Sequence, residues 1–399
     1  MIDNLPNGWK IEELGNMNLD ISDGNYSSLY PTQNEFIEKG IPFIRANNIS
    51  KNTIIDEDMR FISEDKHAIL KKGQLKQNDL LFTNRGIIGQ VGIVPDKYIG
   101  ANINAQIVRI NSGNKFTNKY LMYCFLKQEL KNQMTKLETG STLKQLPIRQ
   151  LKKLNIPIPP LEQQEKIVKV LDLTSNLIEK QKELLEKYDL FLKSKFIEMF
   201  GDPILNPMGW KVVKLDSLGK WQSGGTPSRA KPDFFKGNID WYSAGELNQL
   251  YTIGSIEKIT EEAIQKSSAK IFKENTLLIG MYDTAAFKMS ILKKSSASNQ
   301  AIANLDNDLK ITNVLWLYFV FLAYKELYLN SRAGVRQQNL SLSKIKNFET
   351  ILPPIELQNK FASIVEKIET IKEKENQKLK QMNDLHNSMM NKAFKGEIK

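Results

Sequence analysis

Cysteine occurs once, at Cys124, among 399 residues. A lone thiol excludes a disulfide framework and any zinc site built on paired cysteines, and it fits a reducing cytoplasm. Histidine is nearly as scarce. His67 and His386 stand apart, with no nucleophile constellation around either, and both are expected on the surface. No apolar run is long enough to span a bilayer: the longest, 314–323, is about half of the ~20 residues required and reads as a buried helix. The opening Met1-Ile2-Asp3-Asn4 lacks the basic-then-apolar order of a signal peptide, so a cytoplasmic location is expected. Acidic residues are outnumbered, 45 against 56 Lys and Arg, leaving a net charge of +11. That balance favours a polyanionic partner, since each neutralised phosphate releases counterions, although a Lys- and Asn-rich proteome also makes basic proteins.

What is present is a tandem repeat, the first thing to seek in a chain long enough for several cored domains. Leu5-Pro6-Asn7-Gly8-Trp9-Lys10 recurs as Asn206-Pro207-Met208-Gly209-Trp210-Lys211, with Trp9 and Trp210 201 positions apart. Pro42-Phe43-Ile44 answers Asp240-Trp241-Tyr242 at 198, Asn78 to Phe82 answers Asn275 to Ile279 at 197, and Asn104 answers Asn299 at 195. From Gly140/Gly334 onward the offset locks at 194, through Leu146/Leu340, Pro159-Pro160/Pro353-Pro354, Glu162/Glu356 and Gln164/Gln358. The front of each half tolerates length changes and the back does not, as in a binding module with variable loops on a fixed support.

Each front half mixes short apolar runs (79–83, 107–110) with Gly/Asn/Ser turn clusters, read as strands and loops, plus a helix at 119–133 and its counterpart at 314–329. A Pro-Pro pair closes each, because it can neither continue a helix nor donate to a ladder. From 161 to 200, and from 355 to 394, there is neither Pro nor Gly. The spacing Ile167, Val170, Thr174, Leu177, Gln181, Leu184, Tyr188, Phe191, Lys195 repeats as Phe361, Ile364, Ile368, Ile371, Glu375, Lys378, Met382, Leu385, Met389, so both stretches carry one heptad phase with a polar residue at the same place. A rod of roughly 38 residues is about 57 Å long, more than one small domain covers. The alternative is that each helix packs on its own domain as an ordinary amphipathic surface helix. The expected fold is α+β, a pseudo-two-fold tandem repeat with two globular domains (1–160 and 202–354) separated by two long helices (161–201 and 355–399) in an antiparallel coiled coil.

These features together resemble the specificity subunit of type I restriction-modification systems. The resemblance covers essentially the whole chain. It rests on the Leu-Pro-x-Gly-Trp-type openings, the Pro-Pro-hydrophobic-Glu-x-Gln entries (159–164, 353–358), the segments 140–146 and 334–340, and Phe200-Gly201-Asp202-Pro203, all in order and most of them duplicated. It implies two target-recognition domains, each reading half of a split, asymmetric double-stranded DNA site. The helices would set the spacer and dock two adenine-N6 methyltransferase subunits, which restriction (translocase/nuclease) subunits would join. The loop 22–26, Ser-Asp-Gly-Asn-Tyr, differs from its counterpart 223–227, Ser-Gly-Gly-Thr-Pro, which points to different half-sites.

Catalytic signatures are missing. No Asn-Pro-Pro-Tyr or Asp-Pro-Pro-Tyr element is present to hold a flipped adenine, and no Gly-x4-Gly-Lys-Ser/Thr loop to bind ATP. Pro95-Asp96 with Glu129-x-Lys131 is a poor nuclease, since i and i+2 on a helix point apart. No metal or cofactor is therefore expected on this chain, with S-adenosylmethionine, ATP and Mg left to partner subunits. The competing readings are a coiled-coil adaptor that binds proteins rather than DNA, and a self-contained nuclease or methyltransferase.

Base edges are read best by Arg, Lys, Asn and Gln, and phosphates by Lys, Arg, Ser and Thr. Loops dense in those types give the candidate DNA contacts: Arg45, Asn47, Asn48, Thr83, Asn84, Arg85, Thr142, Lys144 and Gln145 in the first half, and Ser223, Thr226, Arg229, Tyr282, Arg332, Arg336, Gln337 and Gln338 in the second. For each the alternative is a solvated turn or a structural cap. Trp9, Trp210, Trp241 and Trp316 read as core rather than as base-stacking platforms.

Overall fold

The computed structural model describes residues 6–398 apart from 114–115, 283–284 and 331–339. Two compact units emerge, one of Met1–Lys180 with Leu379–Lys399, the other of Gln181–Lys378. The division falls inside both long helices rather than where composition changes.

The units share the strand order of one four-stranded sheet, the inner sheet of each. In the first, the strands Asp20–Asp23, Ile107–Asn111, Leu80–Thr83 and Val91–Ile93 form an antiparallel sheet in that order. In the second, Gly219–Ser223, Ile302–Asn307, Leu277–Gly280 and Met289–Ile291 repeat it. A second sheet in each contains one parallel pair, Ile41–Ile44 with Asn102–Ile103 and Ile239–Tyr242 with Ser296–Ser298. The first and last strands of each front half pair with one another, Lys10–Glu13 with Asn155–Ile158 and Lys211–Lys214 with Glu349–Leu352. The opening and closing motifs of the repeat are thus neighbours in space.

The helix expected at 119–133 is two helices, Asn118–Leu126 and Gln128–Leu137, because Lys127 is extended and carries its Nζ 4.6 Å over the Phe394 ring. Its counterpart Val314–Asn330 is unbroken and buries Trp316, Leu317, Val320 and Phe321.

The long helices span Leu161–Phe200 and Ile355–Phe394. Gly201, at φ +74°, ends the first by returning its N–H to the Ile197 carbonyl at 2.8 Å. At their entries Gln164 and Gln358, both buried, do the same work. Gln164 Nε2 donates to the Pro159 carbonyl (3.0 Å) and its Oε1 accepts from the Thr117 N–H (3.1 Å). Gln358 Nε2 donates to the Pro353 carbonyl (2.8 Å) and its Oε1 accepts from the Asn313 N–H (2.9 Å). The Gln of the entry motif is therefore a clamp between strand end, helix start and the loop before the buried helix.

Within each unit the helices run antiparallel. In the first, Thr174 Oγ1 lies 2.7 Å from His386 Nδ1. In the second, Gln181 Nε2 donates to Glu375 Oε2 (2.7 Å), Lys372 Nζ sits 2.7 Å from Asp189 Oδ1, and the Phe196 and Phe361 rings pack edge to face. Each helix also supplies its own unit's core: Ile167, Val168 and Leu171 join Ala393 and Phe394 around Tyr120, and Phe196 and Phe200 join Phe361 and Val365 around Trp316.

The heptad expected from spacing is half right. Ile167, Thr174 and Gln181 are buried as expected, but between them lie Leu171 and Ile178 rather than Val170 and Leu177, and Leu177 is 40% exposed. Leu192 likewise replaces the exposed Phe191, while Leu184 and Tyr188 are half-buried. On the C-terminal helix Phe361 is buried and Ile368 and Met382 half-buried, but Val365, Lys372 and His386 take the inner places instead of Ile364, Ile371 and Leu385. At 170/171, 177/178, 184/185 and 191/192 both neighbours are apolar, so a 3-4 and a 4-3 spacing fit equally well. The polar Lys372 and His386 then favoured the wrong one.

Neither histidine is a free surface residue. His67 Nδ1 lies 2.6 Å from Asn102 Oδ1, and burial beside Thr174 holds the His386 imidazole below its ordinary pKa. Among the described residues no helix is long and apolar enough to cross a membrane.

Candidate nucleic-acid interface

In the first unit the buried strand Leu80–Thr83 runs out into a loop whose mouth is fixed from three sides. Thr83 N–H donates to the Gln90 carbonyl (2.9 Å), Asn84 N–H to that of Gln106 (2.9 Å), and Leu146 N–H to that of Asn84 (2.8 Å). The last bond brings in the loop 139–145, closed by Thr139 N–H to the Gln145 carbonyl (2.8 Å) and Gln145 N–H to that of Thr139 (2.9 Å). Gly140 sits in it at φ +93°, where a Cβ would lie 2.4 Å from the Leu143 carbonyl, so only glycine fits the turn. Gly86 N–H also reaches the Lys144 carbonyl at 3.4 Å. Two candidate loops about 60 residues apart in sequence thus form one surface.

Residues on that surface divide by exposure. Thr142 and Lys144 are exposed, Lys144 within 3.3 Å of Glu138, and Gln145 is half-buried. Thr83 and Asn84 are buried. Thr83 Oγ1 accepts from Gln90 N–H at 2.9 Å and donates to the Ile87 carbonyl, so it shapes the loop rather than facing a ligand. Arg85 follows them at half exposure. Its guanidinium carbon lies 5.2 Å from the Tyr26 ring centroid, and among the described residues it has no carboxylate partner.

Tyr26 was not legible as a site residue. Its hydroxyl donates to Asp23, which also holds Lys72, and Lys72 Nζ stands 5.1 Å from the ring centroid. Burial, with the Asp23 carboxylate, pushes the phenol up to about 12, so the ring stays neutral beside two cations. The signal available was the loop 22–26 itself, where the two halves of the repeat diverge. Gly24 and Gly224 explain what they share: a Cβ on either would lie 2.2 Å from a carbonyl of the neighbouring strand, Ile103 or Ser298.

The loop 45–48 is tied to its own turn. Asn48 is buried, accepting from the Arg45 N–H at 3.0 Å and donating to the Glu57 carbonyl at 2.8 Å, so it is a cap and not an exposed reader. Arg45 pairs with Asp58 at 2.6 Å and holds that carboxyl below its usual range; Asn47 is exposed beside the same carboxylate.

In the second unit, Leu340 N–H donates to the Met281 carbonyl at 2.8 Å, the counterpart of the Leu146 bond. Tyr282, 39% exposed, follows Met281. Ser223 ends an inner-sheet strand and pairs with Ala303, and Thr226 Oγ1 donates to Gln300. Arg229 is exposed but engaged: it forks onto Glu257, Nη2 to Oε2 at 2.7 Å, and its guanidinium carbon lies 4.2 Å from the Phe235 ring centroid. The fork keeps Arg229 charged and Glu257 below its usual range. Arg332, Arg336, Gln337 and Gln338 lie outside the described residues. Trp9, Trp241 and Trp316 are buried, and Trp210 packs against the second core.

Fold and loops together define a duplicated α+β protein, two like modules built on paired long helices, with polar loops at the ends of their inner-sheet strands. The chain belongs to the family of the type I restriction modification DNA specificity domain, whose model matches it twice, at residues 7–187 and 207–381. Among curated proteins it is similar to the type I restriction enzyme MjaIX specificity subunit of Methanocaldococcus jannaschii, 24% identical with 92% of this chain and 88% of that one covered. The putative MjaX specificity subunit of the same organism is 26% identical with 100% and 95% covered. Among solved structures, the type I restriction-modification S subunit from M. genitalium superposes with a TM-score of 0.58 over 98% of both chains at 14% identity, a likeness of fold.

Proposed function

We propose that this chain is the non-catalytic subunit that reads a bipartite, asymmetric double-stranded DNA site, one half with each unit. The observation that carries the reading is the duplication of one module with unlike exposed loops. Gln164 and Gln358, or Leu146 and Leu340, keep the same bonds, while Tyr26 and Arg85 have no like residues at Pro227 and Tyr282. Equal scaffolds with unequal loops are what two different half-sites require. The long helices would set the unread spacer and dock two adenine-N6 methyltransferase subunits, with restriction subunits joining that assembly. Leu173, 62% exposed, with Leu177, Leu190 and Phe191, gives the central helix apolar surface for protein partners. S-adenosylmethionine, ATP and Mg belong to those partners in this reading.

Methyl transfer assays test it. The chain alone transfers no methyl group; with its methyltransferase partner it directs methylation to one split sequence, and duplex affinity falls steeply with salt. Methylation without this chain, or failure to bind any duplex with the partner present, favours the protein adaptor instead.

A further inference from the structure

We infer that Arg85 reads a guanine in the half-site of the first unit and that Tyr26 is the residue that positions it. The inference rests on the DNA-reading function proposed above and gives it a particular residue pair.

Arg85 differs from the other described arginines of the candidate loops. Arg45 is paired with Asp58 and Arg229 with Glu257, so each has its fork filled by a carboxylate. Among the described residues Arg85 has no carboxylate and no hydrogen-bond partner for its guanidinium, which lies over the face of Tyr26. Attraction to the ring restrains where the guanidinium sits and leaves its N–H groups available to a ligand. A planar, restrained fork suits the O6 and N7 acceptors of guanine in the major groove, the commonest specific arginine contact, whereas a phosphate can be met by a cation in many orientations.

The support is rigid on both sides. The backbone at Thr83 and Asn84 is bonded to Gln90, Gln106 and Leu146, and Gly86 to Lys144, so the arginine leaves a fixed strand end. Tyr26 is fixed in turn by its hydroxyl on Asp23. Lys72 on the same ring is engaged with Asp23, which leaves Arg85 as the cation of this cluster free to turn to a ligand. A reader held by a second residue that is itself held is the arrangement base discrimination needs.

The test is a selection of bound duplexes from a random library, using the full chain with its methyltransferase partner, for wild type, Arg85→Met, Tyr26→Leu and Tyr26→Phe. We expect Arg85→Met and Tyr26→Leu to flatten preference at one guanine by about ten-fold or more, leaving the other half-site intact. Tyr26→Phe, which keeps the ring but not its bond to Asp23, lies between wild type and Tyr26→Leu. Replacing that guanine with 7-deazaguanine weakens wild type and leaves Arg85→Met unmoved. Melting curves within a few degrees of wild type confirm that Tyr26→Leu folds. An equal loss across all sequences for Arg85→Met makes the contact a phosphate clamp and overturns the inference, as does a Tyr26→Leu profile as sharp as wild type. A wild-type profile without any sequence preference removes the DNA-reading function itself, a different failure.

Discussion

Gln181 donates from Nε2 to both the main-chain carbonyl (3.1 Å) and Oε2 (2.7 Å) of Glu375, a residue 194 positions away. That separation is the constant offset of the repeat, so a residue of the central helix meets its own counterpart on the C-terminal helix. In an antiparallel pair, equivalent positions can meet only at the midpoint of the pairing. A single polar contact there is a known means of fixing register, since slippage leaves both groups facing apolar neighbours.

Register therefore makes a mechanical prediction. Seven residues inserted into the central helix after Gln181 keep the heptad phase but move the second half of that helix by about 10 Å. Methylome sequencing should show unchanged half-sites with a changed spacer, or no methylation at all. An unaltered site at full activity contradicts the ruler role of the helices.

The inner face of the helix pair is tested by two neighbouring residues. Ile178 is buried and Leu177 is 40% exposed. Ile178→Ala should cost about 2–4 kcal/mol, and Leu177→Ala should stay within about 0.5 kcal/mol, in denaturant titrations. The reverse order would restore the phase expected from the sequence.

That pair also shows why part of the structure was legible and part was not. The helix bounds could be read because Pro-Pro pairs precede them and no Pro or Gly interrupts them. The phase could not, because Leu177 and Ile178 are both apolar while the inner Lys372 is polar. Lys372 is tolerated there since burial, which lowers its pKa, is outweighed by Asp189 and Glu369, and the net shift is upward. The same limit applies to the interface. Asn48 and Thr83 are residue types that serve equally as base readers and as turn caps, and only burial separates the two uses. For Tyr26 the divergence of the loop 22–26 was the one signal, and its role depends on Asp23, Lys72 and Arg85 meeting in space.

The entry clamp gives a stability test in both halves. Gln164→Leu and Gln358→Leu each keep the side-chain bulk but leave the buried Pro carbonyl and the loop N–H without their partner. Each should destabilise its own unit by about 1–3 kcal/mol, seen as earlier amide exchange in that unit alone.

Acid sensitivity should follow His386. Burial holds its folded pKa below the ordinary 6.5, so the unfolded chain takes up the proton first. Stability from this group is complete above pH 6.5 and is lost as pH falls from there toward the folded pKa. Melting temperature should drop on acidification from neutral pH through that window. His386→Gln, which can still meet Thr174, should flatten the drop; an identical pH profile contradicts the assignment.

The most direct measurement is a domain exchange. Residues 1–158 are replaced by the corresponding segment of another specificity subunit, and the methylated sequence is read genome-wide in cells with the methyltransferase partner. Two independent readers on one pair of helices predict that one half-site changes while the other half and the spacer persist. A change in both halves, or in neither, contradicts the account.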